Sequence, residues 1–89
     1  MSNKDETLFE FPCQYPVKAM GRSCDEMEAA VIGILRRHVN DLSEGAVTIR
    51  PSKKGNYTAI TVMITAHSKK QLDAIYQDLT ACEHVSIAL

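Results

Sequence analysis

The stretch Pro51–Tyr57, which reads PSKKGNY, is a polar and basic turn that contains a glycine. Before it, residues 46–50 read AVTIR, and after it residues 57–65 read YTAITVMIT. Both flanking runs are rich in β-branched residues. Two such runs joined by a few residues with a glycine are typical of a β-hairpin. The sequence therefore predicts two antiparallel strands joined at residues 51–57.

A strand and a helix are predicted upstream of the hairpin. Residues 14–20 fit a strand in which Tyr15, Val17 and Ala19 point to one face and Lys18 and Met20 to the other. Ser23 can cap the following helix, because Glu26 lies three residues later and can return the bond in a capping box. Apolar residues at helical spacing continue this helix over residues 27–38.

A second helix and a last strand are predicted downstream of the hairpin. Ser68 and Gln71 have the spacing of a second capping box, and apolar residues at helical spacing follow up to Leu79. Residues 84–89 then alternate again, which predicts a short strand.

The element order β-α-β-β-α-β predicts a ferredoxin-like plait, an α+β fold. Right-handed crossovers give a four-stranded antiparallel sheet of order 4-1-3-2 with both helices on one face. The second strand is then an edge, where Pro51 is tolerated. Another two-layer α+β arrangement is the alternative. The length of 89 residues predicts a single domain over residues 1–89, with residues 1–7 as a flexible N-terminal tail.

Composition restricts the classes of function. The net charge of −1 disfavours a general nucleic-acid coat or a polybasic membrane binder. No apolar run has the length of a signal peptide core or a transmembrane helix. The three cysteines, Cys13, Cys24 and Cys82, are odd in number and widely spaced, which indicates reduced thiols. We therefore expect a cytoplasmic protein without membrane association.

The sequence contains no recognisable catalytic or metal-binding motif. His38, His67 and His84 form no pair at the spacing of zinc ligands, and the cysteines form none either. No serine or cysteine has a histidine and an orienting carboxylate placed for nucleophilic catalysis. We therefore expect no enzymatic activity, no metal and no cofactor.

The hairpin tip is the first candidate binding site. In the predicted plait, strands 1 and 2 run in the same direction, so the end of strand 1, the start of the first helix and the hairpin tip share one end of the domain. A helix N-terminus favours an anion, so the expected ligand is a small anionic metabolite. The candidate ligand-binding residues are Gly21, Arg22, Ser23, Lys53, Lys54 and Gly55. The alternative is a solvated turn in which glycine supplies a positive φ.

The face of the sheet without helices is the second candidate surface. Its candidate partner-binding residues are Lys18, Met20, Tyr57, Thr61 and Met63. Nucleic acid is not the expected partner, because Tyr57 is the single aromatic residue there and RNA-binding plaits stack bases on several. A mildly apolar face flanked by two edge strands could dock a protein partner or form a homodimer. A monomer with protected edges is the alternative.

The chain also resembles the YbeD-like bacterial proteins, a family of small proteins without an assigned activity. The matching segments are Phe9-Glu10-Phe11-Pro12, Lys18-Ala19-Met20-Gly21, Arg37-His38, residues 51–57 and residues 85–89. The resemblance covers nearly the whole chain and implies no catalytic residue. It implies a plait similar to the ACT-type regulatory domains, which bind small molecules, often amino acids, at domain interfaces. We therefore expect a non-enzymatic regulatory binding module, with a protein–protein adaptor as the alternative.

Overall fold

A computed structural model of the chain describes residues 10–40 and 42–89, and the tail predicted over residues 1–7 lies outside this part. The described residues form four strands and two α-helices in the predicted order. The strands are β1 (Cys13–Arg22), β2 (Val47–Pro51), β3 (Tyr57–Ala66) and β4 (Ile87–Ala88). The helices are α1 (Asp25–His38) and α2 (Lys69–Ala81), and a short 3₁₀ turn, Glu44–Ala46, precedes β2.

The four strands form one antiparallel sheet in the order β2-β3-β1-β4. This is the predicted order 4-1-3-2 read from the other edge, and the ferredoxin-like plait is confirmed. Strands β1 and β3 form the centre of the sheet. They pair over ten positions, from Cys13 opposite Ala66 to Arg22 opposite Tyr57. Strands β2 and β4 are the two edges.

The core lies between the sheet and the two helices. Alternate residues of β1 and β3 point towards the helices, as the sequence pattern predicts. Helices α1 and α2 each supply an apolar stripe at helical spacing. The buried apolar side chains are Val17, Ala19, Met27, Val31, Ile34, Leu35, Val39, Ile60, Val62, Ile64, Ala66, Leu72, Ile75 and Leu79. The opposite face of the described sheet is not covered by a helix, and we call it the open face.

Helix α1 begins one residue later than predicted. Its N-cap is Cys24, whose Sγ accepts a hydrogen bond from the Met27 N–H at 3.3 Å. The predicted capping box of Ser23 and Glu26 is therefore wrong. Ser23 instead continues the β1–β3 ladder, and its hydroxyl is hydrogen bonded to that of Thr58 at 2.6 Å. A hydroxyl engaged across the sheet cannot also cap the helix.

Helix α2 begins at the predicted cap and is tied to α1 by polar contacts. Ser68 Oγ accepts a hydrogen bond from the Gln71 N–H at 3.0 Å, and Gln71 Oε1 accepts one from the His67 N–H at 2.7 Å. Gln71 Nε2 also donates to the His38 carbonyl at 3.0 Å. The His38 ring nitrogen Nε2 lies 2.7 Å from Asp78 Oδ2. These bonds fix the end of α1 against α2.

A proline occupies an outward backbone position on edge strand β2. The Ser52 N–H donates to the Tyr57 carbonyl at 2.7 Å, so these two residues form a hydrogen-bonded pair. Such pairs alternate with non-bonded ones in an antiparallel ladder. Pro51, opposite Thr58, is therefore at a position whose backbone groups point away from β3. The donor that proline lacks would have faced solvent.

A second proline, Pro16, lies at an outward backbone position on the opposite side of the sheet, in the part of β1 that β4 leaves uncovered. The Leu89 N–H donates to the Lys18 carbonyl at 2.8 Å, so the even-numbered residues of β1 direct their backbone groups to the β4 side. Strand β4 itself pairs only with Ala19 and Met20. Pro16 lies on this side beyond the end of β4 and offers no N–H.

Strand β4 is shorter than the strand predicted over residues 84–89. The Val85 N–H donates to the Cys82 carbonyl at 3.1 Å, so the first of these residues belong to the turn that follows α2. The Tyr76 hydroxyl donates to the Leu89 carbonyl and anchors the segment after the strand. Burial, together with the neighbouring Tyr15 hydroxyl, raises the pKa of Tyr76 above its usual value, which favours the protonated donor.

The turn after α2 packs directly on Gly21, which gives a paired stability prediction. A Cβ atom on Gly21 would lie 2.0 Å from the His84 carbonyl oxygen. We expect Gly21→Ala to lower the free energy of unfolding by about 1–3 kcal/mol, because the turn must move. The control is Gly33→Ala on the exposed side of α1. Apart from the backbone of its own helix, no described atom lies within 4 Å of a Cβ there.

Since alanine is the better helix former, Gly33→Ala should raise the free energy of unfolding by about 0.5–1 kcal/mol. Denaturant unfolding of the two variants and the original protein measures both changes. An unchanged stability of Gly21→Ala would contradict the close approach of the His84 carbonyl.

Candidate binding surface on the open face of the sheet

The hairpin tip and the end of β1 meet at one end of the sheet. The Ser23 N–H donates to the Asn56 carbonyl at 3.0 Å, which joins the two segments. A shallow depression of about 400 Å³ lies beside this bond. Its lining residues are Arg22, Ser23, Gly55, Asn56 and Tyr57. Three of the predicted ligand-binding residues, Arg22, Ser23 and Gly55, are therefore brought together.

The other three predicted ligand-binding residues do not line this depression. Gly21 is buried against the His84 carbonyl. Lys53 and Lys54 are exposed at the hairpin tip. Gly55 has a φ of 76°, a left-handed conformation that glycine adopts without strain, so the turn itself accounts for this glycine. Arg22 is then the one cation among the lining residues.

The N-terminus of α1, at the same end, is already supplied with negative groups. Asp25, Glu26 and Glu28 occupy its first turn, and Cys24 Sγ accepts the Met27 N–H. Carboxylates in a first turn interact favourably with the positive end of the helix dipole. They therefore weaken the attraction of this helix end for an external anion.

The open face carries a larger depression, of about 580 Å³, at the centre of the sheet. Ala59 and Thr61 of β3 lie between Lys18 of β1 and Arg50 of β2. The other lining residues are Met20, Thr48 and Leu89. Three of the predicted partner-binding residues, Lys18, Met20 and Thr61, therefore line one depression.

The other two predicted partner-binding residues, Tyr57 and Met63, lie on the same face of β3. Their side chains are 46% and 42% exposed. The segment at β4 adds two apolar side chains that the prediction omitted, since Ile87 is 50% and Leu89 64% exposed. The open face thus combines exposed apolar side chains with cations around a central depression.

Charge is distributed differently in the two layers of the domain. The four described strands contain no acidic residue. Their three charged residues, Lys18, Arg22 and Arg50, all lie on the open face, because each is in register with the non-core side of its neighbour. The described helices carry the carboxylates Asp25, Glu26, Glu28, Asp73 and Asp78. The same helices also carry the cations Arg36, Arg37, Lys69 and Lys70, so charges of both signs lie together in the helical layer. The net charge of −1 therefore conceals a sheet face whose charged residues are all cations.

The three cations of the open face have no ion-pair partner in the part of the chain that the structure describes. The ion pairs found there join residues of the helices and of the turn after α2: Arg37–Asp78, His38–Asp78, Lys69–Asp73 and His84–Glu83. Lys18, Arg22 and Arg50 are thus available to an external anion.

Arg50 is the functional candidate that sequence reasoning missed. The sequence predicts a strand over residues 46–50, but this prediction assigns no face to their polar side chains. The signal was present, because Thr48 and Arg50 are two residues apart and so share a face. The register of β2 on β3 places them opposite Thr61 and Ala59.

No cluster of metal-ligand type is found among the described residues, where no three His, Cys, Asp or Glu side chains come together. Cys13, Cys24 and Cys82 are free cysteines. The predicted absence of a metal and a cofactor stays a prediction. Within the described ranges, no helix has both the length and the apolar character needed to span a membrane.

The topology and the uncovered basic face define a class, small α+β proteins of ferredoxin-like fold. The chain belongs to the family described as "Protein of unknown function (DUF493)", whose model matches residues 6–89. A UPF0250 protein of Paraburkholderia phytofirmans is 43% identical over 89 residues, which cover 100% of both chains. A UPF0250 protein of Neisseria meningitidis serogroup B is 45% identical over 83 residues, 93% of this chain and 91% of the relative. The predicted membership of the YbeD-like family is confirmed.

Solved structures support the fold. The solution structure of protein HP0495 from H. pylori has a TM-score of 0.75 at 13% identity, over 91% of this chain and 85% of that chain. The C-terminal domain of the MgtC protein from Mycobacterium tuberculosis has a TM-score of 0.62 at 18% identity, over 85% and 82% of the two chains. At such identities the likeness establishes the fold alone.

The hydrogen bond between Ser23 and Thr58 gives a prediction about the free energy of unfolding. Thr58 is only 4% exposed, and Ser23→Ala removes its hydroxyl partner. A buried hydroxyl left unsatisfied costs about 1–3 kcal/mol, so we expect a loss of that size. Thr58→Val in the same chain should recover most of it, because no hydroxyl is then stranded. Urea unfolding of both single variants and the double variant measures the coupling, and additive losses would contradict the bond.

Proposed function

We propose that this protein is a non-enzymatic regulatory binding module of the cytoplasm that holds an anionic ligand on the open face of its sheet. The sorting of charge carries this conclusion. Lys18, Arg22 and Arg50 project from one face and form no ion pair with any residue that the structure describes, and the four strands bring no carboxylate to this face. A surface lined by one sign of charge attracts ligands of the opposite sign.

Two further features support a regulatory role inside the cell. The plait resembles the ACT-type regulatory domains, which act by binding small molecules. Cys13, Cys24 and Cys82 are free, which suits a reducing compartment.

A protein partner on the central depression is the favoured ligand. The depression of about 580 Å³ lies between two cations, Lys18 and Arg50. Exposed apolar side chains surround it, among them Met63, Ile87 and Leu89. Exposed apolar surface rimmed by polar groups is typical of interaction sites. This version makes the protein an adaptor.

A small anionic metabolite at the hairpin end is the second candidate. The depression that Arg22, Ser23 and Gly55 share has a volume of about 400 Å³, which falls in the range of small-molecule sites. The backbone N–H and the hydroxyl of Ser23 are already bonded within the protein. Binding would therefore depend on Arg22, with Asn56 and Tyr57 at the rim.

Charge reversal on the open face tests the proposed function. In titrations of the ¹⁵N-labelled protein with inorganic pyrophosphate, we expect chemical-shift changes at Lys18, Arg50 and Thr61, which weaken as salt is added. Arg50→Glu should abolish them, because it replaces one of the two flanking cations by a repelling charge. Lys70→Glu is the matched control, since it makes the same change of charge in α2.

The same titration distinguishes the two candidates. Arg22→Ala should remove only those shift changes that lie at the hairpin end, around Ser23 and Gly55. Shift changes confined to the hairpin end would favour the metabolite site over the adaptor. Equal effects of Arg50→Glu and Lys70→Glu, or no shift changes at any residue, would contradict anion binding by the open face.

A further inference from the structure

We propose that the open face docks an acidic amphipathic helix of a partner protein, with one apolar side chain of that helix seated in the central depression between Lys18 and Arg50. This inference rests on the proposed function and deepens it by naming the chemistry and the secondary structure of the partner. Four properties of the sheet lead to it.

The edges of the sheet disfavour a partner that adds as a strand. Such a partner gains its affinity from main-chain hydrogen bonds along a free edge. Pro51 removes a donor from the outward side of β2, and Pro16 removes one from the stretch of β1 that β4 leaves uncovered. On β2, the outward donors left are those of Val47 and Ile49. A partner is therefore expected on the face.

A segment that lies on the face must satisfy its own backbone. The main-chain groups of β1 and β3 point along the sheet towards the neighbouring strands and not out of its face, and buried backbone groups without partners are costly. An α-helix satisfies its N–H and C=O groups internally and presents an apolar stripe. The ten paired positions of β1 and β3 give a track of about 30 Å, the length of a helix of roughly 20 residues.

The charge of the face selects an acidic helix. Lys18 and Arg50 stand on either side of the apolar floor at Ala59, so carboxylates that flank an apolar anchor would meet both cations. Arg22 extends the cationic row towards the hairpin end. Complementary charge of this kind raises the rate of association and fixes the register of docking.

A second copy of this chain does not supply such a helix. Face-to-face pairing would set Lys18, Arg22 and Arg50 against the same cations. Helix α1 has an acidic first turn, but it buries its apolar stripe in its own core, and so does α2. RNA is disfavoured as well, since Tyr57 is the one aromatic side chain on the described open face and base stacking needs more.

Photo-crosslinking in the full-length protein tests the proposal. A photoreactive amino acid replaces Thr61 at the floor of the depression, and Gln77 on the exposed side of α2 serves as the control position. The adduct formed in cells is digested, and the attached segment is sequenced. We expect a protein segment rich in Asp and Glu, with apolar residues at helical spacing, from Thr61 but not from Gln77.

The mapped segment is then made as a peptide and titrated against the purified protein. We expect helical circular dichroism to rise on binding, and Arg50→Glu to weaken the affinity about tenfold or more, with Lys70→Glu close to the original protein. The chemical-shift spectrum of each variant verifies that it is folded.

A nucleic acid adduct, a second copy of this chain, an acid-poor or extended segment, or no adduct at Thr61 would each overturn the inference. If pyrophosphate still shifts Lys18 and Arg50 in that case, the proposed anion-binding function stands and only the acidic helix is excluded. If pyrophosphate shifts no residue of the protein, the proposed function fails independently.

Discussion

The register between β1 and β3 is the constraint on which the rest of the structure depends. These strands pair over ten positions, and side chains alternate between the two faces with a period of two residues. A slip of one residue would send Val17 and Ala19 to solvent and Lys18 into the core. The same register that builds the core therefore assembles the cations on the open face. Folding and the candidate binding surface are two consequences of one alignment.

Much of the fold could be predicted, because the alternation of side chains along strands and the helical spacing of apolar residues are local properties of the chain. They predict both helices, the strands and the faces of Lys18 and Met20, and the rule of right-handed crossovers then predicts the strand order. The cap of α1 could not be predicted, since it depends on a bond between Ser23 and Thr58, which are 35 residues apart. Contacts between distant segments override local capping preferences. Likewise, β4 is short because the turn after α2 closes onto Gly21.

The candidate site was predicted in part for the same reason. Lys18 and Met20 follow from the pattern of their own strand, whereas the pairing of Arg50 with them requires the register of β2 on β3. At the hairpin end, the expected basic cluster reduces to Arg22, because Lys53 and Lys54 lie at the tip and α1 brings its own carboxylates. The balance of charge thus moves the favoured binding surface from the hairpin end to the centre of the open face.

The central claim is that the open face is electrically positive, because its strands carry cations and no carboxylate, while the helical layer carries charges of both signs. The most direct measurement is the paramagnetic relaxation of protein protons by two nitroxide cosolutes of equal size and opposite charge. At each proton, the ratio of the relaxation enhancements caused by the two cosolutes reports the local electrostatic potential. We expect the anionic cosolute to dominate at protons of Lys18, Thr61 and Arg50. At Asp73 in the helical layer, which is paired with Lys69, we expect no such excess. Equal effects of the two cosolutes on both layers would contradict the account.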